Sequence, residues 1–176
     1  SRGVTGTTDR IAVTGTPGTG KSTATALLAD TFDVVHLNEL IERDSTLWTD
    51  RDATRDTLTA DLDAIRERLG DWSGILESHL AHHFAADRVV VLRCHPEALV
   101  TRLQTRGESS ASVDENAEAE ALDVILSEAV AEHGTDRVYE VDTTDRSPEA
   151  VAEELRTIAR DEATPRVGTV DFTAYL

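Results

Sequence analysis

Short apolar runs and amphipathic stretches alternate along these 176 residues, and that alternation sets the expected order of elements. Arg10 to Thr14 reads as a short buried strand, and Ser22 to Asp30 as the helix that follows. Phe32 to Leu37 reads as a second strand. Asn38 to Arg43 starts a short helix, and Asp44 to Asp52 is a polar connector carrying Trp48. From Arg55 onward, Leu58, Leu62, Ile65 and Leu69 recur at helical spacing, and Gly70 closes that helix. Gly74 to Ser78 gives a third strand with a polar end. Asp87 to Arg93 is the clearest buried strand, and Pro96 opens a helix reaching about Arg106-Gly107. Gly107 to Asp114 reads as a polar, serine-rich loop, and Glu115 to His133 as one long helix. Arg137 to Asp142 is a fifth strand and Pro148 to Asp161 a last amphipathic helix. The tail from Glu162 to Leu176 lacks a strong pattern, with Val170, Phe172 and Tyr175 as its docking candidates. Strands alternating with helices predict an α/β fold, a parallel sheet covered on both faces with ligands at the carboxyl ends of the strands.

The break between the first strand and the first helix carries the chemistry. Gly15-Thr16-Pro17-Gly18-Thr19-Gly20-Lys21-Ser22-Thr23 fits G-x-x-x-x-G-K-[ST], a loop whose backbone N–H groups cradle phosphate. The expected helix adds the positive end of its dipole. Lys21 is placed to bridge the β and γ phosphates of a nucleoside triphosphate, and the Ser22 hydroxyl to ligate Mg²⁺. Lys21 is also the only lysine in the chain. Arginine does not replace it there, because a planar fork does not fit a site shaped for a compact ammonium.

Charge narrows the setting. With 34 acidic against 17 strongly basic residues, the formal net charge is -17. No basic run is present, so broad contact with DNA or RNA is not expected. Acidity with arginine in place of lysine resembles proteins of concentrated salt, where screening relieves self-repulsion; a halophilic source follows as an expectation. One cysteine, Cys94, excludes an internal disulfide and reads as a core residue. No apolar stretch approaches about 20 residues and no signal-peptide pattern opens the chain, so a cytoplasmic protein is expected, with no membrane partner. The length suits one domain, 1–176.

Phosphoryl transfer needs a metal-side acid, cations for the developing charge, and an acceptor. Glu77, at the end of the third strand, is the acid for the metal, and His79 is placed to orient a water or a phosphate oxygen. Arg102 and Arg106 lie four apart on the helix feeding the serine-rich loop, where Gly107 and small residues suit a hinged lid; Arg106 is the favoured phosphate cation. His79, His82 and His83 also have the i, i+3, i+4 spacing of a helical metal cluster. No acidic or cysteine fourth ligand stands clearly beside them, so His82 and His83 read as exposed helix histidines.

With these residues placed, the chain resembles the adenylate kinase isoenzyme 6 family, small atypical nucleoside monophosphate kinases linked to maturation of the small ribosomal subunit. The likeness runs from about Arg10 to Leu155. It is carried by the glycine loop, by Glu77-Ser78-His79 (an acid-x-His element), by Arg102-Leu103 with Thr105-Arg106-Gly107, and by Glu115-Asn116 with Glu118 and Glu120. Two positions depart: Glu77 stands where eukaryotic members carry Asp, and Ser147 beside Arg146 where the family has a lysine near the adenine. The resemblance implies a P-loop fold with a five-stranded parallel sheet, expected order 2-3-1-4-5. It implies ATP contacts at Gly18, Gly20, Lys21, Ser22, Thr23 and Arg106, and a role for His79 in turnover. It also implies a monophosphate-binding region at about 36–58 and a lid at about 105–116.

The reading is a kinase moving phosphate from Mg·ATP to AMP, with Lys21, Glu77, His79 and Arg106 in the catalytic centre and Ser22 and Glu77 on the metal. Slow ATP hydrolysis and a small-subunit ribosomal protein partner are further implications of the family. An ATP-dependent ribosome assembly factor with incidental kinase activity, or a small-molecule kinase with another acceptor, is the alternative. A GTPase would need Asn-Lys-x-Asp, which a chain with one lysine lacks. Arg43, Arg51 and Arg55 are the candidate ligands for the acceptor phosphate.

Overall fold

The computed structural model describes residues 9–52 and 57–176. Its centre is a five-stranded parallel sheet built from β1 (Arg10–Thr14), β2 (Val34–His36), β5 (Gly74–Glu77), β6 (Arg88–Arg93) and β7 (Val138–Asp142). The spatial order is β2-β5-β1-β6-β7. Counting only these five strands, that is the expected 2-3-1-4-5. The earliest strand is central, and the glycine loop leaves its carboxyl end.

Alternation along the central strands feeds two apolar layers. Ile11, Val13, Val90 and Leu92 pack with α1 (Lys21–Ala26), the turn after it and α7 (Pro148–Ala159), through Ala24, Leu28, Val151 and Leu155. Ala12, Leu76, Val89 and Val91 pack on the other face with α2 (Leu37–Arg43), α3 (Leu62–Leu69) and α6 (Val124–His133), through Leu37, Ile41, Ile65, Leu126 and Ala129. A strand buried on both faces reads as an unbroken apolar run, which is why Arg88–Arg93 stands out in the sequence. α4 (Pro96–Thr105) and α5 (Ser110–Ala121) form a satellite on Cys94, Leu99, Leu103 and Val113. No helix among the described residues is long and apolar enough to cross a membrane.

Several elements differ from the sequence reading. The polar connector is a 3-10 turn, Ser45–Leu47, leading into β3 (Trp48–Asp52), which pairs antiparallel with β4 (Thr57–Ala60). The helix expected from Arg55 therefore begins at Leu62, where the Asp61 side chain accepts from the Ala64 N–H as an N-cap; Leu58 lies in β4 and Arg55 outside the described residues. The first helix ends at Ala26 rather than near Asp30. The Thr25 hydroxyl donates to the carbonyl of Lys21, the kind of local bond that competes with helix, and i to i−3 turns follow. The serine-rich loop is confined to 106–109, since Ser109 caps α5 from the Ser112 N–H and Val113 is buried. The long helix is two helices, broken at Asp123, which has φ 57. The tail docks mainly through backbone: Arg166 N–H donates to Val138 O and Glu140 N–H to Arg166 O, beside β7. Of its three candidates Phe172 is the buried one.

Candidate functional site

The loop at 15–20 is shaped by what surrounds it. A Cβ on Gly15 would lie 2.6 Å from the Leu92 carbonyl oxygen. One on Gly18, at φ 93, would lie 2.8 and 2.9 Å from the methyls of Leu99 and Leu103. Only glycine meets both the backbone conformation and the approach of α4. The Thr16 carbonyl accepts from the Thr19 N–H (3.2 Å), the Thr19 hydroxyl (2.9 Å) and the Lys21 ammonium (3.1 Å), which holds the loop in a tight curl.

Lys21 is 6% exposed. Burial drives its pKa down from 10.5 to about 8; Glu77 opposes the shift, Arg106 adds to it and Glu120 opposes it weakly. Glu77 ends β5, in register with Val13 of β1 on one side and His36 of β2 on the other. Its Oε1 lies 2.7 Å from His36 Nδ1, and its second oxygen takes no hydrogen bond from the described residues. Next along, the Ser78 hydroxyl donates to Asn38 Oδ1 (2.7 Å) and accepts from the Leu80 N–H (3.0 Å). Asn38 Nδ2 lies 3.3 Å from His79 Nδ1. Burial first, then the Lys21 charge and those of His82 and His83, lower the His79 pKa from 6.5 to about 4. His79 is therefore neutral near pH 7. With Nδ1 accepting from Asn38, its proton sits on Nε2.

These groups line one cavity of about 760 Å³. Pro17 to Ala24 form one wall, Asn38, Glu77 and His79 a second, and Arg102, Thr105 and Arg106 a third. Every expected ATP-contact residue is on this lining. Arg102 Nη1 donates to the Gly18 carbonyl at 3.2 Å, tying α4 to the loop, whereas Arg106 is exposed and, among the described residues, pairs with the Glu108 carboxylate at 3.5 Å. Pro148, Val151 and Arg146 close the far end. Arg146 is fixed there by the Asp142 and Ala150 carbonyls and by Glu154. Of the acceptor candidates, Arg43 is exposed at the end of α2 and lines a smaller pocket that shares Asn38 with this cavity, while the side chain of Arg51 and all of Arg55 lie outside the described residues.

The sequence reading did not assign the group that anchors the loop from behind. The Thr16 hydroxyl donates to Glu120 Oε1 at 2.7 Å, and Glu120 is 2% exposed. Arg93 donates to Glu120 Oε2 (2.9 Å), Glu140 (2.6 Å) and Asp123, and the Cys94 N–H donates to Glu120 Oε2. Burial works against the charged guanidinium, but Glu120 and then Asp123 outweigh it, so the Arg93 pKa stays above its ordinary value. Two sequence signals point here. Glu120 shares a helix face with the apolar Val113, Ala117 and Ala121, and Arg93 ends an otherwise apolar strand. His82 also departs from expectation: it is buried on a 3-10 turn, Ala81–His83, rather than exposed on an α-helix.

A glycine loop on the central strand of this parallel sheet, a buried lysine, and an acid at the end of the neighbouring strand define a P-loop, kinase-like fold. The gluconokinase of Sinorhizobium meliloti 1021 superposes with TM-score 0.52 at 19% identity, over 87% of this chain and 94% of that one. A sulfotransferase of Alicyclobacillus acidocaldarius gives TM-score 0.52 at 12% identity, over 91% and 85%. The family model described as an AAA domain matches residues 11–123. Relatives named "Putative adenylate kinase" are closer. The one from Natronomonas pharaonis is 60% identical over 95% of this chain and 99% of its own length. The Halobacterium salinarum protein is 52% identical over the same shares, and that of Methanosarcina acetivorans 42% over 84% of each. The chain belongs to the archaeal adenylate kinase family that carries this name.

Proposed function

We propose that the protein is an adenylate kinase that moves the γ-phosphoryl group of ATP onto a phosphate oxygen of AMP, giving two ADP. One P–O bond to the leaving ADP breaks and one to the acceptor forms. The observation that carries the reading is the convergence of Lys21, Glu77, His79, Arg102 and Arg106 on one cavity beside the glycine loop. Lys21 holds positive charge against the phosphates, and exposed Arg106, loosely paired with Glu108, is the cation placed to reach them. Neutral His79 offers Nε2–H as a donor that positions a phosphate oxygen. Pro148 and Val151 give the far end an apolar floor for a base.

The donor set fits Mg²⁺. Ser22 and Glu77 bring oxygen ligands to the same lining, the hard donors this ion takes, and when bound it supplies positive charge to the phosphate oxygens. We assign acceptor binding to the 36–58 region and the lid to 105–116. Within that lid, the non-helical residues 106–109, which carry Arg106, are the hinge that moves, while α5 stays anchored through buried Glu120. So short a hinge covers the phosphates sparingly, which supports slow ATP hydrolysis beside transfer. The net charge of -17 favours a basic protein partner, as an assembly factor of the small ribosomal subunit would have.

The test is ADP formation from Mg·ATP in molar KCl, with AMP, CMP, GMP, UMP or shikimate as acceptor. AMP should accelerate it well above basal hydrolysis, and Lys21→Ala should abolish both. An unchanged rate with every acceptor would leave a nucleotide-dependent assembly factor as the better reading.

A further inference from the structure

Behind the loop, on the face of the sheet opposite α1, His82 and His83 meet the side chains of α6. Each ring is held at Nδ1 by an outer partner: His82 by the Thr14 hydroxyl at 2.7 Å, His83 by Glu132 Oε2 at 2.7 Å. Each ring presents Nε2 to the same oxygen, Glu128 Oε1, at 2.8 and 3.8 Å. His133 Nε2 donates to the His82 carbonyl at 2.7 Å and fixes the turn. The two rings stand 4.1 Å apart, centroid to centroid.

Glu132 holds His83 at Nδ1, which leaves Nε2 as the ring nitrogen turned toward Glu128. Ligand atoms about 2 Å from a tetrahedral ion lie about 3.3 Å apart, between the two separations observed. All three ligand atoms fall within 4.8 Å of one another. Imidazole held through its far nitrogen by a carboxylate or hydroxyl is how proteins orient metal-binding histidines. Glu128 is 45% exposed, which leaves a path for entry and room for a water as fourth ligand.

We propose that His82 Nε2, His83 Nε2 and Glu128 Oε1 form a binding site for a zinc-class divalent ion, with Thr14 and Glu132 as its outer shell. Binding at His82 Nε2 requires the ring proton on Nδ1, from where it donates to the hydroxyl oxygen of Thr14, the residue immediately before the glycine loop. The acidic ligand absent beside the histidines in sequence comes from α6, 46 residues after His82.

The experiment uses the full chain, stripped with chelator and free of nucleotide. Zn²⁺ is titrated in competition with a chromophoric chelator, and Co²⁺ serves as a spectroscopic probe of four-coordination. One ion per chain is expected. His83→Ala and Glu128→Gln should each weaken binding by more than the roughly 10–100-fold expected for Glu132→Gln. No saturable binding, or binding that His83→Ala and Glu128→Gln leave intact, overturns the site. Should those variants fail to fold, ¹⁵N spectra of the wild-type histidines decide. Zinc must move the Nε2 signals of His82 and His83 while leaving that of His95 in place, and unmoved signals refute the assignment.

Discussion

Burial takes the Lys21 ammonium out of water, and the Thr16 carbonyl, its hydrogen-bond acceptor among the described residues, replaces little of what the solvent provided. A pKa lowered from 10.5 to about 8 corresponds to about 3 kcal/mol against the charged form. The folded value lies below the unfolded one. The cost is therefore fully present below pH 8 and shrinks as pH rises from 8 to 10.5. Lys21→Met should abolish phosphoryl transfer yet raise the stability of the empty protein by on the order of 1–3 kcal/mol at pH 7. Thermal melts of both proteins should converge as pH approaches 10.5, and a gap that stays constant would count against a buried charge as its origin. ATP should stabilise the wild type alone.

At the scale of elements, the loop depends on α5 as much as on its own glycines. Thr16→Val removes one hydrogen bond and leaves Glu120 short of a donor, at about 1–3 kcal/mol. It should raise the KM for ATP with a smaller effect on kcat, since Thr16 holds the loop's shape and does not line the cavity. Glu120→Gln breaks a buried pair with Arg93 and should cost roughly 3–5 kcal/mol by denaturant titration. A variant as stable as wild type would show that Glu140 and Asp123 alone satisfy Arg93. Legibility in the sequence follows the range of the forces. Val89 to Leu92 and the glycine loop declare themselves because burial on both faces and phosphate chemistry each leave a local pattern. The β3–β4 hairpin does not, because Trp48-Thr49-Asp50-Arg51-Asp52 is too polar to read as a strand. Asp123, at the break, bonds Arg93, thirty residues earlier, and buried His82 bonds Thr14, 68 residues away. Long-range partners of this kind leave no periodicity.

Across the whole molecule, a net charge of -17 opposes compaction unless salt screens it. The Debye length falls from about 10 Å at 0.1 M to about 3 Å at 1 M, so Tm should climb steadily with KCl over that range. A flat profile would mean that local ion pairs such as Arg88–Asp9 already offset the repulsion. The sheet order has a consequence for synthesis. β1 is made first yet lies at the centre, between β5 and β6. The loop at 15–20 takes its shape from Leu92, Leu99, Leu103 and Glu120. A nascent chain thus carries its phosphate-binding residues for about a hundred residues before the scaffold that shapes them exists. Nucleotide capture should begin only after Glu120 has left the ribosome.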